Sequence, residues 1–227
     1  MKNSKIRLEE LTPELALQLL MDGNKRFVNN LLHDKNLLQM VNETKDGQFP
    51  FAAILSCSDS RTSAELVFDQ GLGDIFSVRL AGNIATENAI GSLEFACKYL
   101  GSKIIVVLGH TSCGAIKGAC DNVQEGNIKK VVSHILPAVL NEKSITKDRD
   151  SSNDNFVDNV MHINIEQQMI NIVENSRILS KMIDEHQVGL VGAIYNVKSG
   201  EVKFYDEDQI FNLDEQFVKI RSKLNIS

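Results

Sequence analysis

Two apolar patterns alternate along the chain. The first is a short continuous run, as in Phe51-Ala52-Ala53-Ile54-Leu55-Ser56 and Lys103-Ile104-Ile105-Val106-Val107-Leu108. Runs of this length suit strands buried on both faces. Ile75-Phe76-Ser77-Val78-Arg79 is a further strand candidate. The second pattern is helical spacing. Leu15, Leu19 and Leu20 follow Thr12-Pro13-Glu14, which places Thr at the N-cap and Pro at the first helical position. Residues 31–49 are polar and mixed, and predict a loop with a short helix. Thr62-Ser63-Ala64-Glu65 has capping-box spacing and predicts a short helix through Phe68. Thr86 caps a helix carrying Ile90, Leu93 and Cys97, which ends near Gly101. Helical pattern resumes around Cys113 and from Ile128 to Leu140, and residues 141–155 form a polar loop. One long helix is predicted over Phe156 to Glu185. Val188 to Val197, the turn Lys198-Ser199-Gly200 and Glu201 to Tyr205 read as a hairpin.

Strands alternating with helices predict an α/β fold with a mostly parallel central sheet flanked by helices. A length of 227 residues is ample for a full core without disulfides. The net charge of −6, from 24 Lys and Arg against 30 Asp and Glu, gives no reason to expect a nucleic-acid partner. No apolar run reaches the ~18 residues of a membrane helix. The first seven residues are basic but lead into no signal-type apolar core, so a cytoplasmic protein is expected. Four cysteines are too few for a secreted disulfide framework, and in a reducing compartment they are buried thiols, metal ligands or catalytic groups.

In open parallel sheets, sites form beyond the carboxyl ends of strands. Cys57 follows the first strand there, His110 the third, and Cys113 comes three residues later where a helix should begin. Three residues of helix put two side chains on one face. A helix N-terminus also favours a thiolate. Two thiolates and an imidazole suit tetrahedral Zn²⁺ with a fourth position free. Singly, each of these residues reads as core; their joint placement at two strand ends favours metal. Cys97 and Cys120 read as buried small hydrophobes. Asp59 and Arg61 lie two and four residues after Cys57. An Asp beside a metal is either a ligand or a group that orients metal-bound water, and Arg61 can hold it in a bidentate pair.

Cys-Ser-Asp-Ser-Arg (57–61), Val-Arg-Leu-Ala-Gly-Asn (78–83) and Gly-His-Thr-Ser-Cys-Gly-Ala (109–115), in that order, resemble the β-class carbonic anhydrases. Gly189-Leu-Val-Gly-Ala-Ile-Tyr195 with Ser199-Gly200 is similar to that family's closing hairpin. The resemblance implies a single domain over residues 1–227 that hydrates CO₂ reversibly to bicarbonate and a proton by zinc-bound hydroxide, with one Zn²⁺ per chain. It implies that Gln48 binds substrate oxygen, that Phe76 and Ala81 line an apolar pocket, and that the Gly114 N–H contacts substrate. It implies a dimer or tetramer with the pocket at the interface, and an N-terminal helix packed on the partner. Phe95 stands where the family often has Tyr. Ile54 stands where members with a bicarbonate-closed site carry Trp, although Arg79 matches their bicarbonate-contacting Arg. An open site, with Asp59 on Arg61, is therefore expected.

Three other readings compete. Hydrolysis of carbonyl sulfide or carbon disulfide needs the same ligands. A non-catalytic zinc protein would need neither Asp59/Arg61 nor Gln48. A thiol redox protein would favour a Cys-x-x-Cys spacing, which Cys57 and Cys113 lack.

Overall fold

The computed structural model describes residues 8–210 and 215–224. In chain order the elements are α1 (Pro13–Val28), α2 (Leu37–Thr44), β1 (Ala52–Ser56), α3 (Ala64–Val67), β2 (Ile75–Arg79) and α4 (Glu87–Lys98). There follow β3 (Ile104–His110), α5 (Gly114–Cys120), α6 (Ile128–Asn141), α7 (Asp154–Asn175) and α8 (Arg177–Asp184). β4 (Gly189–Tyr195), β5 (Val202–Ile210) and α9 (Glu215–Lys223) close the chain. Two 3₁₀ turns complete the set, Leu8–Glu10 before α1 and Ala81–Asn83 after β2.

The five strands form one sheet in the order β2-β1-β3-β4-β5. The first four run parallel, and β5 returns antiparallel on β4. Every residue of β1, β3 and β4 is buried, which explains their continuous apolar composition. Side chains alternate between two cores. Ala53, Leu55, Ile105 and Val107 face the layer of α4 to α9, with Phe156, Ile165 and Met169 of α7. Ala52, Ile54, Val106 and Leu108 face α1 and α3, with Leu20 and Phe68. α1 thus lays Ala16, Leu17 and Leu20 on its own chain's sheet, leaving Leu15 and Val28 outward.

Local chemistry sets several boundaries. Thr12 accepts from Leu15 N–H at 3.3 Å and caps α1, while Thr86 accepts from Ala89 N–H at 3.4 Å and caps α4. The long helix predicted over 156–185 is two helices. Ser176 adopts φ −130°, ψ 102°, and its Oγ accepts from Leu179 N–H at 3.0 Å, so it ends α7 and caps α8. The hydrophobic period continues across the break, because both helices face the same core. α3 also departs from expectation. Ser63 is its N-cap but makes no capping bond, and the Thr62 hydroxyl is engaged elsewhere. α9 lies beyond the predicted elements, and buries Phe217, Ile220 and the following Leu224 in the α-layer core.

Candidate active site

The carboxyl ends of β1 and β3 lie side by side, with Ser56 opposite Leu108. Cys57 therefore leaves β1 next to the last residues of β3, of which His110 is the final one. Cys113 is the N-cap of α5 rather than a residue within it. His110 and Cys113 thus converge through a tight turn in which Ser112 takes φ +57°, and not through a shared helical face. Arg61 Nη2 reaches the Ser112 carbonyl at 3.5 Å and ties the two loops together.

Cys57, His110 and Cys113 are all buried, and their ligand atoms lie within 4.8 Å of one another. The two sulfurs are 3.9 Å apart. Sulfurs ~2.3 Å from one tetrahedral ion would sit ~3.8 Å apart, so the spacing fits zinc. The imidazole is oriented for the same task. Its Nδ1 meets the Thr111 carbonyl at 3.0 Å, which makes Nδ1 the protonated nitrogen and leaves Nε2 with the lone pair. Nε2 is buried and has no hydrogen-bond partner. An imidazole nitrogen left so is costly unless an ion takes it.

The charge distribution agrees. A hydrogen bond from Cys113 pushes the Cys57 thiol down against the opposing effect of burial. That same bond, with burial, pushes Cys113 up. A cation placed between the sulfurs would replace their shared proton. Cys97 has no such partner, and burial pushes it up to about 12, as expected of a core thiol. Cys120 is likewise pushed up to about 11 by burial.

Asp59 is held beside this cluster. Its Oδ1 accepts from Arg61 Nε at 2.9 Å and from the Arg61 backbone N–H at 3.0 Å, while Oδ2 accepts from Nη2 at 2.8 Å. These bonds hold the carboxyl well below the usual carboxylate range. The loop carrying it is pinned from behind. Thr62 Oγ1 lies 3.0 Å from the Cys57 carbonyl and 2.9 Å from that of Asp59. Arg79, at the end of β2, donates Nε to the Cys57 carbonyl at 3.2 Å and Nη2 to the Asp59 carbonyl at 2.7 Å. From the sequence, Thr62 reads as part of a helix-capping box, and Arg79 is only matched by resemblance to a bicarbonate-contacting Arg. The structure gives both to the backbone of the ligand loop.

The remaining predicted residues divide into two groups. Ala81 opens the 3₁₀ turn whose Gly82 N–H donates to Cys57 Sγ at 3.4 Å, and Gly114 directly follows Cys113. Both are at the cluster. Gln48 and Phe76 are not. Gln48 precedes β1 and is exposed, whereas Cys57 follows that strand. Phe76 pairs with Ala53 near the start of β1 and packs tilted against Phe95 at 6.5 Å between ring centroids. At ~3.3 Å per residue, β1 sets Ala52, at its entry, ~16 Å from Cys57, and Gln48 precedes that entry.

Comparison with known proteins agrees with this site. A family model described as "Carbonic anhydrase" matches residues 52–202. Carbonic anhydrase 2 of Mycobacterium tuberculosis is 33% identical over 90% of this chain and 97% of its own. The solved β-carbonic anhydrase CcaA is 25% identical with a TM-score of 0.67, covering 84% of this chain and 88% of that one. The Coccomyxa β-carbonic anhydrase shares the fold, with a TM-score of 0.72 at 22% identity over 92% of this chain and 94% of that one. The fold and the Cys-His-Cys cluster define a zinc-dependent lyase. The chain belongs to the β-carbonic anhydrase family, which catalyses zinc-dependent hydration of CO₂.

Proposed function

We propose that this chain hydrates CO₂ reversibly to bicarbonate and a proton, with one Zn²⁺ held by Cys57, His110 and Cys113. One observation carries the reading: a buried Cys-His-Cys set with an unpartnered imidazole Nε2 lies beside a carboxylate that arginine keeps ionised. Bound zinc supplies a Lewis acid that makes water nucleophilic near neutral pH. Asp59, ionised, can only accept, so it would accept a hydrogen bond from the nucleophile and turn an oxygen lone pair toward substrate. Arg61 occupies both Asp59 oxygens and keeps that carboxylate in place as an acceptor. Gly114, first residue of α5, has an N–H without an intrahelical acceptor, and we assign it to the charge that develops on substrate oxygen. Ala81 lines the apolar side for CO₂.

Gln48 and Phe76 serve the same pocket from a second copy of the chain. The strand between Gln48 and Cys57 supports this assignment, as does the surface around Gln48. In the segment of the chain that holds Gln48, Leu31, Leu32, Leu37, Leu38, Val41 and Phe49 are all exposed, and α2 buries none of its residues in its own chain. Such an accumulation of exposed apolar residues marks an association surface. The working unit is thus a dimer or tetramer of single-domain chains of residues 1–227, placed in the cytoplasm. Among the described residues no helix is long and apolar enough to cross a membrane.

Stopped-flow CO₂ hydration on purified, metal-analysed protein tests the reading. Turnover that scales with bound zinc is expected. Stoichiometric zinc without hydration would overturn it.

A further inference from the structure

Cys57 Sγ accepts a hydrogen bond from the Gly82 N–H at 3.4 Å. Gly82 has φ +72°, a region open to glycine, and a Cβ there would meet Ile135 Cδ1 at 2.6 Å. The turn is closed by the Asn83 N–H on the Leu80 carbonyl at 2.9 Å and is tied to β1 by the Leu80 N–H on the Ser56 carbonyl at 3.0 Å. A further hold, on Gly82 itself, comes from α7. Asn164 donates Nδ2 to the Gly82 carbonyl at 3.0 Å, and its Oδ1 accepts from Gln168 Nε2 at 3.0 Å. Gln168 Oε1 in turn accepts from the Ala85 N–H at 2.9 Å and from Asn171 Nδ2 at 3.1 Å. The helix comes this close because Gly109, beside His110, has no side chain; a Cβ there would meet Ile165 Cδ1 at 2.7 Å.

Asn164 and Gln168 are wholly buried in a face otherwise made of Val160, Met161, Ile165 and Ile172. Burying two amides costs free energy that apolar residues would avoid, and the helix does not need them to pack. Apart from the bond that Gln168 accepts from Asn171, their bonds run to the 82–85 segment or to one another, and that segment reaches the metal cluster through the Gly82 N–H.

We propose that Asn164, locked in orientation by Gln168, is a positioning residue for the metal thiolate, holding Gly82 so that its N–H stays on Cys57 Sγ. A hydrogen bond to a thiolate draws off part of its donor charge. With two thiolates in the set, that withdrawal returns Lewis acidity to the ion. The inference rests on the zinc reading above.

The test uses the full-length protein loaded with Co²⁺ in place of Zn²⁺. The parent should show a thiolate-to-cobalt charge-transfer band in the near ultraviolet. Its absence would sink the zinc reading itself. In Asn164→Leu the band should move to longer wavelength, because the sulfur becomes more electron-rich, and Zn²⁺ affinity by chelator competition should fall about tenfold. Gln168→Met, which frees the Asn164 amide without removing it, should move the band the same way by less, and covers the case in which Asn164→Leu does not fold. Ile135→Val loosens packing against the same glycine without touching a hydrogen bond; it should lower the melting temperature and leave the band in place. An unshifted band in the amide variants that fold, or an equal shift in Ile135→Val, would overturn the proposal.

Discussion

Asp59 Oδ2 stands 4.0 Å from His110 Nε2, a buried imidazole nitrogen with no hydrogen-bond partner. The carboxylate therefore borders the position an ion would take while both its oxygens remain on Arg61. Asp59→Asn keeps the shape, loses the ionic pair and offers an N–H₂ where an acceptor is needed. Metal content should stay near that of the parent, and CO₂ hydration should fall about 10–100-fold. Stopped-flow rates normalised to bound zinc check this; parent-like turnover would reduce the pair to a surface ion pair.

The ligand assignment predicts that Cys113→Ser and His110→Ala each lose most of their zinc. Elemental analysis after exhaustive dialysis decides it. Cys97→Ser and Cys120→Ser should retain a full complement, since burial is the main cause that pushes their thiols up and neither belongs to the cluster.

Arg79 spends its guanidinium on the Cys57 and Asp59 carbonyls, and Ile54 is wholly buried where an indole donor would otherwise stand. The indole donor that would help hold a regulatory bicarbonate is therefore missing. Hydration measured against rising bicarbonate should show simple inhibition without cooperativity. Arg79→Gln should cost about 1 kcal/mol of stability, given its exposure, and should loosen Asp59, so that kcat falls more than the melting temperature suggests.

Away from the site, the Asp69 side chain is fully buried and bonds Arg26, Lys35 and the His33 N–H. Burial raises its pKa, but those bonds outweigh burial and lower it overall. A lowered folded-state pKa gives stability that is complete above the unfolded value, ~3.9, and fades as pH falls through the folded one. Denaturant unfolding from pH 6 to pH 3 should show this loss in the parent. Asp69→Asn should cost about 2 kcal/mol at pH 7 and respond less to acid.

The strands and the zinc ligands were legible in the sequence for one physical reason. A strand buried on both faces must be continuously apolar, and polar residues at its carboxyl end then stand out. That marks Cys57 and His110 at once. The helix break at Ser176 leaves no mark on the hydrophobic period, although Asn175-Ser176 is a capping pair in retrospect. Phe217, Ile220 and Leu224 carry a readable helical spacing for α9. Asn164 and Gln168 were not legible, because an amide in a helix reads as solvent-facing until the opposing backbone is known. Thr62 and Arg79 hid for a similar reason, as their partners are carbonyls that no sequence pattern displays.

β1 acts as a spacer with a measurable genetic consequence. If the strand divides one pocket between two copies, two inactive chains can mend each other. A Cys57→Ser chain lacks the ion but presents an intact Gln48 and Phe76, whereas a Gln48→Ala/Phe76→Ala chain has the reverse defect. In a mixed dimer the intact halves meet at one of the two sites. Refolding the two inactive variants together at equal amounts should restore about one quarter of the parent's active sites, the share expected of random pairing in a two-fold dimer. Refolding each alone should restore none.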